Sequence, residues 1–173
     1  WIKASQWTEG WQGIIAHGEQ SDYMVARKGS DDPVLLSYAG GTGDISTVTS
    51  YGFSPEGDSK WHHIVATSEN GVATQLFVNG VLEATGGAPS IRASNANNNV
   101  LCIGCNPDNG REFIGLIDDV AMWDRALGAD EVTEIYNQGI AGNPLSSFFP
   151  SADDIDNDGL PDAWEEIYGL SVS

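Results

Sequence analysis

Five acidic residues near the end of the chain follow the spacing of a calcium-binding loop. The stretch DIDNDGLPDAWE, residues 154–165, matches the pattern D-x-[DN]-x-[DN]-G-x5-E without a miss. Ca²⁺ takes about six to eight oxygen ligands, which alternate carboxylates and one backbone carbonyl can supply. The predicted ligands are Asp154, Asp156, Asp158, Leu160 through its carbonyl, Asp162 and Glu165. The alternative is a solvated acidic linker that holds no ion.

The calcium loop is predicted to act alone. It is similar to the loops of EF-hands, dockerins and thrombospondin type 3 repeats. In a paired EF-hand, the eighth loop residue donates its backbone N–H to the partner loop. Here that residue is Pro161, which has no N–H to donate. We therefore expect a single loop and helix over residues 153–173, which binds one Ca²⁺.

The two cysteines, Cys102 and Cys105, form the stretch CIGC. A zinc site would need more ligands, but the chain has no second cysteine pair and its three histidines fall in unrelated predicted strands. We predict a short-range disulfide at a strand end if the protein is secreted. Two free buried thiols are the alternative.

Aromatic side chains are the candidates for contacts with a sugar, because a pyranose face can stack on an aromatic ring. The candidates in or near predicted loops are Trp7, Tyr38, Tyr51 and Phe53. The asparagine-rich loop at 92–99 could add donors and acceptors for hydroxyl groups. Three further tryptophans are expected to pack in the core, namely Trp11, Trp61 and Trp123.

The sequence gives no sign of catalysis. Glycosidases built on β-sandwiches place two carboxylates on one strand, in the pattern E-x-D-x-x-E, about 5–5.5 Å apart. This chain lacks the pattern. No serine or cysteine has a legible base beside it, although such partners can be distant in sequence. We predict that the domain is not an enzyme.

Short β-type runs bounded by turn residues dominate the chain to about residue 123. Residues 61–85 are predicted to form a three-stranded meander with two-residue turns at Asn70-Gly71 and Asn79-Gly80. A short helix is expected between Gly128, a possible N-cap, and Gly139 as its end. The pattern predicts an antiparallel β-sandwich.

The stretch FIGLIDDVAMW, residues 113–123, is apolar at both odd and even positions. This pattern predicts a strand that is covered on both faces. Asp118 and Asp119 lie in its middle, where a buried carboxylate would need a cation or several hydrogen-bond donors. Pairing with Arg125 is one alternative to metal binding.

Composition narrows the classes of partner. The 173 residues include 7 Lys and Arg against 25 Asp and Glu, a net charge of −18. Such a surface repels nucleic acid and anionic membranes. No apolar run reaches the ~18–20 residues of a membrane helix. The chain opens on WIKASQW without a signal peptide, so we expect a fragment of a longer multidomain protein.

Three stretches resemble the laminin G-like, concanavalin A-like domains of bacterial extracellular proteins: WHHIVAT, QLFVNGVLEATG and FIGLIDDVAMWDRALGADEVTEIYNQG. The resemblance covers roughly residues 1–140 and implies an all-β, two-sheet jelly roll. The family has a further strand before WIK, so the domain is expected to be truncated. A linker is expected over 141–152. In related sandwiches an aspartate near Asp118 helps hold a structural ion, which suggests a tentative second calcium site.

The resemblance also implies a function. Jelly rolls of this type are attached to secreted enzymes and adhesins, where many bind glycans. We therefore expect a non-catalytic, lectin-like module of a secreted bacterial protein. Its partners would be a polysaccharide and neighbouring domains of the parent chain. The alternative is a structural or adhesive spacer without a sugar ligand.

Overall fold

The computed structural model describes residues 1–17, 22–29, 35–39, 46–48, 53, 57, 59–89, 100–106 and 110–145. The chain divides into two compact units, residues 1–136 and 137–173. In the second unit the description covers the end of one helix and the few residues after it. No helix of the described residues has the length and apolar character needed to cross a membrane.

The described residues of the first unit are mostly β-structure. The strands are β1 Ile2–Gln6, β2 Gly13–His17, β3 Tyr23–Arg27, β4 Leu35–Ala39, β5 Ser46–Val48, β6 Ile64–Glu69, β7 Ala73–Val78, β8 Val81–Thr85, β9 Leu101–Ile103 and β10 Ile114–Ile117. One helix follows, α1 Ala129–Ile140. All pairings between these strands are antiparallel. The structure thus confirms the predicted antiparallel β class with one short helix.

The strands form two layers. The first sheet has the order β5-β4-β3-β2-β9. The second consists of the pair β10-β1 and the meander β6-β7-β8, which an antiparallel bridge between Ile2 and His62 joins. In this bridge each residue donates its N–H to the carbonyl of the other at 2.8 Å. The order of the second layer is therefore β10-β1-β6-β7-β8, and β4 and β5 lie against β7.

Apolar side chains from both layers meet in one core. Leu35 of the first layer and Leu76 of the second are completely buried, and Ile2 and Val78 are nearly so. Burial of one such side chain stabilises the fold by about 1.5–3 kcal/mol. Because side chains alternate along a strand, the neighbours of Ile2 on β1 point to the opposite, outer face of the second layer.

The meander agrees with its prediction, apart from one turn. Asn79 and Gly80 both have positive φ, 52° and 79°, as a two-residue type I′ turn requires. The turn between β6 and β7 is longer, since β6 ends at Glu69 and β7 begins at Ala73. Only Gly71 in that loop has positive φ, so the predicted two-residue turn there is wrong.

Helix α1 begins as predicted but ends later. The Gly128 N–H donates to Glu131 Oε2 at 2.8 Å, which caps the first turn. The N–H of Gly142, at φ 82°, donates to the carbonyl of Gly139, and the Asn143 N–H donates to that of Gln138, both at 3.0 Å. This is a Schellman ending with Gly142 in the left-handed position. Gly139 is therefore inside the helix and does not end it.

The strand predicted over 113–123 is much shorter in the structure. Only Ile114–Ile117 are strand, and Asp119 has a φ of 48°, which interrupts the extended backbone. Leu116 and Met122 are more than half exposed. The prediction of a strand covered on both faces is therefore wrong.

Candidate functional site

The predicted calcium loop, residues 154–165, lies outside the described residues, and its six ligands stay a prediction. The second predicted calcium site, at Asp118, lies within the described residues. Its exposed carboxylate accepts the N–H of Asp119 at 2.9 Å, and Arg125 pairs with Glu131 instead. Within the described ranges, no group of three His, Cys, Asp or Glu side chains is placed to hold a metal ion. Among the residues that the structure describes, no second ligand accompanies Asp118, and the second calcium site stays a prediction.

Two of the four aromatic residues predicted to bind sugar lie in the core. Trp7 is 5% exposed and Phe53 is 6% exposed. The Trp7 ring makes edge contacts with Phe53 and Phe113, at centroid distances of 6.0 and 5.4 Å. Neither ring offers a face at the surface, which corrects the binding role assigned to them. The side chain of Tyr38, on β4, and all of Tyr51 and 92–99 fall outside the description.

The two histidines before β6 are structural. The His63 N–H donates to Asn79 Oδ1 at 3.0 Å, and the Asn79 N–H donates to the His63 carbonyl at 2.8 Å. The Asn79 amide also lies 3.3 Å from His62 Nδ1, and the His62 ring meets Phe53 of the core edge-on. His62 therefore faces the core. These contacts tie the turn between β7 and β8 to the start of β6.

His63 points the other way, to the outer face of the second layer, where helix α1 covers it. Its ring lies 5.0 Å from that of Trp1 and 6.0 Å from that of Tyr136. Thr133 of the helix donates its hydroxyl to the Gly80 carbonyl at 3.0 Å. Burial lowers the pKa of His63 to about 4, and the amino group of Trp1 acts in the same direction.

Beside this covered cluster, the same outer face is open. Trp61 precedes the two histidines and is 41% exposed. Core packing was predicted for it, so the structure corrects that assignment. Sequence reasoning missed this residue because the three consecutive residues of the motif show only that their side chains point to alternate faces of the sheet. They do not show which of the three the helix covers.

The predicted disulfide is present between Cys102 and Cys105, with their Cα atoms 5.6 Å apart. It closes a turn after β9 in which Gly104 has a φ of 80°. The Cys105 carbonyl lies so close to Gly13 that a Cβ on Gly13 would be 2.3 Å from it. The disulfide therefore constrains the turn after β9 at the point where its backbone lies closest to β2.

A second imidazole contact is found where β2 and β3 meet. His17 Nδ1 lies 2.7 Å from Asp22 Oδ2, and the His17 ring stacks on Tyr23 at 5.5 Å. His17 and Tyr23 are also paired across the two strands. This contact therefore joins the last residue of β2 to the first residue of β3.

Comparison with known proteins places the sandwich. The family model described as the concanavalin A-like lectin/glucanases superfamily (Laminin_G_3) matches residues 1–133. Adhesion G-protein coupled receptor D1 of Homo sapiens is 30% identical over 113 residues, 64% of this chain and 13% of the receptor. Adhesion G-protein coupled receptor V1 of Danio rerio is 23% identical over 143 residues, 80% of this chain and 2% of the receptor. The chain thus spans a small part of these relatives.

The chain is also similar to a solved structure, residues 221–444 of an S-layer domain-containing protein from Clostridium thermocellum. It has a TM-score of 0.36 and 18% identity, and the match covers 75% of this chain and 64% of that one. The family model covers most of the chain, from the first residue into helix α1. The chain therefore belongs to the concanavalin A-like lectin/glucanases superfamily, as a laminin G-like domain.

Proposed function

We propose that the sandwich is a non-catalytic carbohydrate-binding module of a secreted, multidomain protein, of bacterial origin as its resemblance implies. Membership of a lectin-type superfamily supports this proposal. The observation that carries it is the partly exposed indole of Trp61, on a sheet face that also offers a lysine. An exposed indole offers an apolar face on which a ligand can pack and an N–H that can hydrogen-bond to it.

The negative charge limits which glycans can bind. At −18, the chain repels sulfated and uronic polymers as it repels other polyanions. Uncharged polysaccharides meet no such barrier. We also propose an extracellular location, which the disulfide between Cys102 and Cys105 supports because such bonds persist in oxidising compartments.

A glycan array tests the proposal directly. The protein is applied to neutral and acidic glycans, once with calcium and once with a chelator. We expect binding to a neutral polysaccharide class. Hydrolysis of any bound polysaccharide by purified protein would contradict the non-catalytic assignment. Silence across the array would favour the alternative, a spacer domain without a sugar ligand.

We further propose that residues 153–173 form a calcium-stabilised joint, held by the six predicted ligands. Residues 151–173 carry seven acidic residues and no Lys or Arg, so their mutual repulsion opposes a compact structure unless a cation offsets it. Calorimetry should show one Ca²⁺ bound and its loss in Asp156→Ala. Proteolysis after residue 150 should be slower with calcium than with chelator. Equal rates would contradict the joint.

A further inference from the structure

The pairing of β1 with the residues before β6 aligns side chains in rows across the outer face of the second layer. Ile2 pairs with His62 on one side and with Ile117 of β10 on the other. Ile2 and Ile117 pack on the core, so residues one position away point outward. Continuing the antiparallel register by one residue sets Lys3 opposite Trp61.

From this register we expect the side chains of Lys3 and Trp61 to approach each other closely. Ile2 and His62 exchange both of their hydrogen bonds, so the next pair along is a non-hydrogen-bonded pair. Side chains in such pairs approach each other most closely, with Cβ atoms about 4.5–5.5 Å apart. The ring contact of Trp1 with His63, at 5.0 Å, shows the same arrangement one step in the other direction.

Leu116 extends the row on the other side of β1. Lys3 pairs with Leu116 of β10, which is 56% exposed, and Ile114 lies next to it on the same face, 40% exposed. The row from Trp61 through Lys3 to Leu116 spans two strand spacings, roughly 10 Å. We call Trp61, Lys3, Leu116 and Ile114 the outer-face patch. No residue that the structure describes forms a salt bridge with Lys3.

We propose that the outer-face patch is the polysaccharide-binding surface of the domain, with the face of a sugar ring on Trp61 and its hydroxyls on Lys3. The inference rests on the proposed function and locates it. An indole ring offers a flat apolar face, an ammonium donates hydrogen bonds, and Leu116 extends the contact to a neighbouring sugar. The occupant is therefore a chain of sugars and not a single one.

The net charge of the chain favours a neutral polysaccharide over the other partners that an apolar patch could bind. A second copy of the chain would bring a further −18 against the same surface, and an anionic membrane or polymer would also be repelled. Asp118 lies beside Trp1, in the row that neighbours the row of Lys3, and adds to that repulsion. A neutral polysaccharide brings no charge, so the patch favours it.

The test is affinity electrophoresis in gels that contain mixed-linkage β-glucan, xylan or galactomannan. The wild-type protein is compared with Trp61→Ala and with Val81→Ala, a control for loss of an exposed apolar side chain on β8. We expect at least one polysaccharide to retard the wild type and Val81→Ala equally. Trp61→Ala should bind about tenfold more weakly, because tryptophan is among the residues whose truncation costs most at an interface. Lys3→Ala and Leu116→Ser should show smaller losses.

The outcomes separate the two proposals. If the wild type and Trp61→Ala are retarded equally, the domain binds glycans elsewhere and the outer-face patch is overturned. If no polysaccharide retards the wild type and the array is also silent, both proposals fail. Sedimentation at several concentrations adds a further check, because a wild-type dimer that Trp61→Ala abolishes would assign the patch to self-association. Circular dichroism confirms that each variant is folded.

Discussion

Two neighbouring rows on the outer face of the second layer differ in what covers them. In the first, helix α1 places Tyr136 over Trp1 and His63. In the second, Trp61 and Leu116 remain exposed on either side of Lys3. The same register between β1 and the start of β6 produces both rows. The helix therefore decides which aromatic residues serve the fold and which are available to a ligand.

The covered row should make stability depend on pH through His63. Its pKa is lowered from 6.5 to about 4, so the folded protein holds it neutral where the unfolded chain already binds a proton. The stabilisation linked to neutral His63 is fully present above pH 6.5 and is lost as pH falls towards 4. The expected loss is roughly 2–3 kcal/mol, at 1.36 kcal/mol per pH unit.

Urea unfolding of the wild type and of His63→Phe, at pH values from 7 to 4, measures this loss. The variant has no imidazole at position 63, so the difference in unfolding free energy between the two proteins should change with pH over this range. Carboxylates titrate in both proteins and cancel in the comparison. A difference that stays constant from pH 7 to pH 4 would show that His63 is not held neutral.

Substitutions at two glycines with positive φ distinguish the cost of the contact between the helix and the sandwich from the cost of the backbone conformation. Gly80 has a φ of 79°, and a Cβ there would lie 3.0 Å from the Tyr136 ring. Gly71 has a φ of 72° and nothing within 4 Å. Gly71→Ala should cost about 1 kcal/mol for the left-handed backbone alone. Gly80→Ala should cost about 2 kcal/mol or more, because the Tyr136 ring must also move. Equal losses in thermal unfolding would mean that Tyr136 does not press on this turn.

The open row should contribute little to stability. Trp61→Ala removes a half-exposed ring, and we expect a loss of less than about 1 kcal/mol in chemical unfolding. A loss comparable with a buried tryptophan, about 3–5 kcal/mol, would place Trp61 in the core after all. We therefore expect Trp61→Ala to weaken binding strongly while it changes stability little.

Local signals predicted much of the sandwich. Asn79-Gly80 requires positive φ at two consecutive residues and therefore indicated the turn between β7 and β8. The proximity of Cys102 and Cys105 in sequence also indicated their bond correctly. Both features depend only on residues within a few positions of each other.

Features set by distant pairing were harder to predict. Trp7 was expected at the surface and Trp61 in the core, and the structure reverses both. Trp7 packs on Phe53 and Phe113, and Trp61 is placed by the bridge between Ile2 and His62. These partners are distant in the sequence, and no local pattern indicates that they meet. The apolar residues of 113–123 suggested burial on two faces, because periodicity reports apolar character and not what covers it.

In the proposed binding surface Trp61, and not Trp7, contacts the ligand. An NMR titration with an oligosaccharide of the bound polysaccharide tests it through the indole N–H signals of the six tryptophans. The Trp61 and Trp7 signals are assigned by their loss in Trp61→Phe and Trp7→Phe. We expect the Trp61 signal to shift on addition of the sugar while the Trp7 signal stays in place. A sugar-dependent shift at Trp7 with none at Trp61 would contradict it.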